Sequence, residues 1–155
     1  MKELAQIASA VQVSSTMAMD MLAKQMKADG VDVVGFGAGE PDFDTPSHIK
    51  AAAIQAISGN VTRYTPATGT AALKEAVCLR MREDCGLEYE PSQVVVTSGA
   101  KHCVYIALRA VVDPGDEVIL PAPFWVSYLE LIKMAGGRPV VVTAQESAGF
   151  KMTAE

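Results

Sequence analysis

Apolar residues recur along this chain in two rhythms, and the change between them divides it. Up to about residue 90 the spacing is helical. Residues 15–29, STMAMDMLAKQMKAD, predict a helix with Ser14 or Ser15 as N-cap and Gly30 just past its end. Met17, Met21 and Leu22 share one face of it and are expected to pack, within the chain or between subunits, because methionine adapts to irregular gaps. Residues 31–36, VDVVGF, predict a short strand or extended run. TPSHIKAAAIQAIS predicts a second helix. Thr45 is its expected N-cap and Pro46 its first helical residue, where a missing N–H costs nothing; Gly59-Asn60 ends it. The loop VTRYTPATG leads to a third helix over about 70–85, with Leu73, Val77 and Met81 along one side and Gly86 closing it.

Beyond residue 90 the rhythm turns to short β-branched runs alternating with helices. QVVVTS (93–98) predicts a strand, GAKHCVYIALRAVV (99–112) a helix, and DPGD a turn. EVILPA (117–122) predicts the next strand, PFWVSYLELIKMAGG a helix, and RPVVVTA (138–144) a third strand. Such alternation means an α/β fold with parallel strands, right-handed crossover helices, and strands buried on both faces. The chain reaches Glu155 in polar sequence soon after that strand, where the crossover pattern ordinarily continues. The expected architecture is therefore an incomplete three-layer αβα large domain preceded by an N-terminal helical arm.

Composition narrows the classes. Hydrophobic residues make up 50% of the 155 positions and charged residues 20%, which suits a packed domain and argues against disorder. Thirteen Lys and Arg stand against eighteen Asp and Glu, for a net charge of -5, and no basic stripe marks a nucleic-acid surface. Apolar runs fall well short of the roughly 18 residues a membrane span needs. The N-terminus lacks the continuous apolar core of a signal peptide. Cys78, Cys85 and Cys103 form no CxxC pair. Cys78 and Cys85 lie about 10 Å apart along one helix, too far for a disulfide. Buried, reduced thiols in a cytoplasmic protein are expected.

Candidate chemistry gathers at loops. VGFGAGEPDFDTP places Gly35, Gly37 and Gly39 at alternate positions after an apolar run. A dinucleotide fingerprint needs G-x-G-x-x-G opening a helix, and Glu40-Pro41 stands where that helix would already be running. Gly39 is better read as a loop position that a ligand or another backbone approaches. The stronger anion site is TSGAKH (97–102), directly between predicted strand and helix. There the N–H groups of Gly99, Ala100 and Lys101 would point outward at the positive end of the helix dipole. Ser98-x-x-Lys101 also fits the S-x-x-K pattern of penicillin-recognising serine enzymes, without the companion S-D-N and K-T-G motifs. Trp125, the only tryptophan, follows a strand at the sheet's carboxyl edge, fit either to stack on an aromatic ligand or to anchor a core. Tyr64 offers a phenol from a loop. His48 and His102 have no partners at metal-ligand spacing.

Taken together, GAGEPDFDTP, RYTPATGTAALKEAV, VVVTSGAKH, DPGDEVILPAPFWVSY and AGGRPVVV resemble, in order, the first part of class I aminotransferases of the bacterial aspartate aminotransferase type. That family is dimeric, has fold type I and uses pyridoxal 5'-phosphate. The resemblance implies that Gly39 meets the substrate's α-carboxylate through its amide. It implies that Gly99, Ala100 and Lys101 cradle the cofactor phosphate and that Trp125 stacks on the pyridine ring. Tyr64 is similar to the tyrosine that reaches the neighbouring subunit's cofactor phosphate. Thr16 and Lys101 resemble positions that help bind an acidic substrate's side chain. Residues 1–44 then form the arm and small-domain segment, and 45–155 part of the cofactor-binding large domain.

The family's Schiff-base lysine lies far downstream, as do its aspartate facing the pyridinium nitrogen, its N-P-x-N-P-T-G asparagine and its carboxylate-clamping arginine. None of these motifs occurs before Glu155. The resemblance therefore implies a cytoplasmic, homodimeric aminotransferase acting on an amino acid and a 2-oxo acid. It also implies that these 155 residues, expected to be a fragment, hold no catalytic residue. The alternatives are a non-catalytic dimerising remnant and a serine hydrolase acting through Ser98.

Overall fold

A computed structural model of the chain describes residues 4–12, 14–37 and 39–153. Contacts gather these into two units, one running to Gly39 and resuming at Lys101, the other covering Glu40–Ala100.

The first unit opens with a short helix, α1 (Gln6–Ala10), and then α2 (Ser15–Ala28). Between the two candidate caps the hydroxyl decides for Ser14, whose Oγ accepts from the Met17 N–H at 3.4 Å. The methionine stripe does share a face, but Met17 is 65% and Met21 67% exposed, so the expected packing is absent within this chain. Helical spacing fixes which residues lie together; it does not fix what covers them. After Gly30, residues 31–36 form neither helix nor ladder, so the expected strand is not formed there. Gly35 and Gly37 lie against α2. A Cβ on Gly37 would stand 3.2 Å from Met19 Cβ, and one on Gly35 3.5 Å from Ala23 Cβ.

The α/β segment follows helix α5 (Ala100–Val111). Strand β1 (Glu117–Ala122), helix α6 (Val126–Ala135) and strand β2 (Arg138–Thr143) form one parallel crossover unit. Glu117 pairs with Arg138 and Ala122 with Thr143, in unbroken register. The turns before the two strands are stapled together. The Gly115 N–H donates to Gly136 O at 3.0 Å, and the Arg138 N–H to Asp116 O at 2.7 Å. Beyond the ladder the Ala144 N–H donates to Ala122 O at 2.8 Å. Leu120, Leu131, Ile132, Ala135 and Ala144 are buried here and make this unit's core. Gly137 sits tightly among them, since a Cβ there would lie 3.0 Å from Val112 Cγ1 and 3.2 Å from both Ile132 Cγ2 and Val118 Cγ2. Arg109 Nη1 donates to Ala135 O at 3.1 Å, satisfying a carbonyl at the end of α6 that the helix itself leaves open.

The α/β class expected from the sequence is thus borne out, with two corrections. First, the run 93–98 is no strand. Pro91–Gln93 is a single 3-10 turn, and Val94 is extended at φ -108 and ψ 130. The Val96 N–H donates to Thr68 O at 3.0 Å rather than to a neighbouring strand. β-branched residues favour the extended backbone, but a strand also requires a partner ladder. Second, a sheet of two strands has no inner strand, so burial on both faces fails: Ile119 is 58% exposed.

The second unit holds α3 (Ser47–Ser58) and α4 (Ala71–Cys85). Thr45 is not the cap of α3. Pro46 occupies that position, at φ -52 and ψ 142, and its carbonyl accepts from the Ile49 and Lys50 N–H groups. Proline's fixed φ suits the cap as well as the first helical residue, so sequence alone places it only within one residue. α4 begins and ends as expected. Thr70 Oγ1 accepts from the Leu73 N–H, and Gly86 closes the helix in the left-handed region at φ 67. All three cysteines are free, but only Cys78 is buried, while Cys85 and Cys103 are exposed.

Candidate functional site

The TSGAKH turn is built from a left-handed glycine followed by a helix start. Gly99 takes φ 83, a conformation most side chains avoid, and nothing lies within 4 Å of where its Cβ would be. Thr97 Oγ1 donates to Gly99 O at 3.0 Å, and the Gly99 N–H donates to Thr97 O at 2.9 Å. The expectation of three free amides is therefore corrected to two. The Ala100 and Lys101 N–H groups, opening the twelve-residue α5, meet no acceptor among the described residues. Both residues are exposed. No acidic side chain stands in the first turn, so its partial positive charge is unopposed there. The turn can accept an anion on two amides, with the Lys101 ammonium carried by the same turn.

Lys101 also lines a groove of about 490 Å³, together with Ser14, Ser15, Phe124, Val126 and Glu130. Ser14 and Ser15 immediately precede Thr16, a half-buried residue in the first turn of α2. The groove thus brings Lys101 to one surface with Ser14 and Ser15, while Thr16 itself does not line it. Trp125 follows the Ala122–Pro123 cis peptide that ends β1, and stands at the N-cap of α6. Its carbonyl accepts from the Tyr128 N–H at 2.9 Å, and the residue is 51% exposed. Trp125 is therefore not a buried core anchor within this chain.

Gly39 differs from the other glycines of its loop. A Cβ on Gly37 would crowd α2 and one on Gly35 would only touch it, whereas nothing among the described residues approaches within 4 Å of a Cβ placed on Gly39. No backbone among the described residues needs the space. Tyr64 is fully exposed at 108%. The Ser98 hydroxyl has no hydrogen-bond partner among the described residues that would mark an activated nucleophile. His48 and His102 are exposed, and no group of three or more His, Cys, Asp or Glu side chains gathers as a metal site among the described residues. No described helix is long and apolar enough to cross a membrane. Sequence reasoning missed two features: the Thr97–Gly99 clasp, which the short run T-S-G signals, and a tie from Gln12 to Glu130, which no local pattern signals.

Known proteins match this chain along most of its length. Residues 31–155 match the family described as aminotransferase class I and II. The chain is 49% identical over 153 residues to the aspartate aminotransferase of Geobacillus stearothermophilus, covering 99% of this chain and 39% of that protein. It is 50% identical over 145 residues to the aspartate/prephenate aminotransferase of Cereibacter sphaeroides, covering 94% of this chain and 36% of the relative. Among solved structures, the aspartate aminotransferase of Rhizobium meliloti superimposes with a TM-score of 0.92 at 41% identity, over 99% of this chain and 38% of that one. The Thermus thermophilus aspartate aminotransferase with maleate gives 0.92 at 40% identity, over 99% of this chain and 40% of its own. The chain therefore spans about two-fifths of the length of the relatives it matches. A match running from residue 31 to residue 155, joined to a helix-opening turn suited to an anion, places the chain in the class I and II aminotransferase family.

Proposed function

We propose that this chain supplies cofactor-phosphate and substrate-carboxylate contacts to a pyridoxal-phosphate-dependent aminotransferase. That enzyme moves an amino group between an aspartate-like amino acid and a 2-oxo acid. The observation that carries the reading is the turn at Gly99–Lys101, with its left-handed glycine and two amides that meet no acceptor. A phosphate fits that turn: the Gly99 side is open, Ala100 is small, and Lys101 adds a cation. When bound, pyridoxal phosphate supplies an electron sink for the carbon next to the amino nitrogen.

Each residue then has a task. Ala100 and Lys101 hold the phosphate by their amides, Gly99 gives the turn its shape, and Trp125 offers a flat face to the pyridine ring. Tyr64, wholly exposed, is suited to reach the phosphate held by a second copy in a homodimer. Gly39 leaves room for the substrate's α-carboxylate, while Thr16 and Lys101 receive the acidic side chain of an aspartate-like donor. In this reading residues 1–44 belong to the arm and small domain and 45–155 to the cofactor-binding domain. Three free thiols suit a reducing, cytoplasmic setting. No residue here is assigned as the lysine that carries the cofactor, so catalytic proton transfer falls to none of them.

The test titrates the 155-residue chain with inorganic phosphate and with pyridoxal phosphate, following backbone amides by NMR. Both ligands are expected to shift Ala100 and Lys101, and only pyridoxal phosphate to quench Trp125 fluorescence. Lys101→Ala should weaken phosphate binding by about fivefold, the loss of roughly 1 kcal/mol of exposed charge interaction. Aspartate and 2-oxoglutarate are expected to stay unconverted by this chain alone. Amide shifts confined to other regions, or turnover by this chain, overturn the reading.

A further inference from the structure

Residues 4–12 lie against α6 as a thin strap. They are all exposed, α1 within them is only five residues long, and it buries no side chain. Its Ala8 and Ser9 N–H groups and the Ser9 hydroxyl all reach back to Ala5 O. One hydrogen bond goes far afield: the Gln12 N–H donates to Glu130 Oε2 on α6 at 3.4 Å, across 118 positions of sequence. The other oxygen of the same carboxylate accepts from Lys133 Nζ at 2.9 Å, and the Glu130 side chain is only 19% exposed. Two hollows border the tie. One of about 240 Å³ lies between α1 and α6, and the other is the 490 Å³ groove containing Ser14, Ser15 and Lys101. A strap bordered by two hollows is held by its tie more than by packing.

We propose that Glu130 is a positioning residue whose carboxylate latches residues 4–12 onto α6 and so fixes Ser14 and Ser15 at the Lys101 groove, and with them the first turn of α2 that carries Thr16. The inference rests on the reading of Thr16 as a substrate-side residue. It adds the device that would set where Thr16 stands. The ionisable groups facing this carboxylate are Lys133 on its own helix and Lys101 across the groove; residues 4–12 and Ser14 carry none. Its electrostatics agree with the geometry. The Lys133 hydrogen bond first, then the Gln12 N–H and the Lys133 charge, hold Glu130 below the ordinary glutamate range against an opposing desolvation. A carboxylate depressed in this way contributes its tie fully above the ordinary glutamate value of about 4.3. The tie is lost as pH falls through the lowered value.

The test follows Gln12 and Thr16 amides in the 155-residue chain by NMR, through pH and in two variants. In the unaltered chain both amides are expected to move together with a midpoint below about 4.3. Glu130→Gln retains an acceptor oxygen, so both amides should stay near their neutral-pH positions and lose the titration. Glu130→Ala should speed Gln12 amide exchange at neutral pH by about two- to fivefold and displace the Thr16 signal. The proposal is overturned if Thr16 ignores the titration that moves Gln12, or if the alanine variant leaves Gln12 exchange unchanged. A succinate titration separates the two ideas. A latch that behaves as described while succinate leaves Thr16 and Lys101 unmoved sinks the substrate reading and keeps the latch.

Discussion

Gly69 is where the loop carrying Tyr64 closes on the run leading to Gly99. It adopts φ 100, and a Cβ built on it would fall 2.6 Å from Val96 Cγ2 and 2.8 Å from Val96 Cβ. Its own N–H donates to Pro66 O at 2.9 Å, and the next contact, from the Val96 N–H to Thr68 O, fastens the two segments. Gly69→Ala therefore combines two costs. Placing a Cβ in the left-handed region costs about 1–2 kcal/mol. Overlap with Val96, half of it with the rigidly placed Cβ rather than a mobile methyl, adds about 1–3 kcal/mol. The sum is about 2–5 kcal/mol. Gly86 separates the two costs, because it is also left-handed, at φ 67, in the same unit, yet has nothing within 4 Å of its Cβ position. Gly86→Ala should cost only the backbone share, about 1–2 kcal/mol. Urea unfolding followed by far-UV circular dichroism measures both, and Val96 amide exchange reports where the first loosens. Equal destabilisation by the two variants would refute the overlap argument. So would a Gly69→Ala chain whose Val96 amide stays as protected as before.

Two further substitutions test the contacts that hold the elements in place. Thr70→Ala removes the hydroxyl that accepts from the Leu73 N–H at 3.4 Å, and should cost about 0.5–1 kcal/mol in the urea midpoint of α4. Arg109→Met removes the donor to Ala135 O; because that guanidinium is largely solvated, the expected cost is about 1 kcal/mol. Faster amide exchange at Gly136 and Gly137, with α5 unchanged, is the signature to look for.

What could be read before the structure was local. The cap Ser14, offered beside Ser15, and the terminator Gly86 follow from short-range chemistry: a hydroxyl facing free amides, or a residue tolerant of positive φ. The parallel pair β1 and β2 follows from the alternation with α6. Failures came wherever a second segment decides. Val94–Thr97 had the composition of a strand but met Thr68 instead of a ladder. Met17 and Met21 had the spacing of a packed stripe and stand exposed. Of three alternate glycines, the sequence could not divide Gly35 and Gly37, pressed on α2, from Gly39, which faces open space. The glycine turn that opens α5 was legible because strand-like run, glycine and helix start are contiguous. Which of its amides is already taken was not, since that depends on how Thr97 folds over Gly99.

The stapling of Gly115 to Gly136 and of Arg138 to Asp116 sets a zero mark for the β1–β2 ladder before either strand begins. Six paired residues later the chain arrives at Pro123 and Trp125 at a height counted from that mark. Each strand residue advances about 3.3 Å and reverses the side its neighbour faces. Deleting one residue from β1 would thus lower Trp125 by one step and turn it to the other side. The same deletion in the loop after β2 would leave it alone. Variation in length is therefore expected to be tolerated past Ala144 and punished between Glu117 and Trp125.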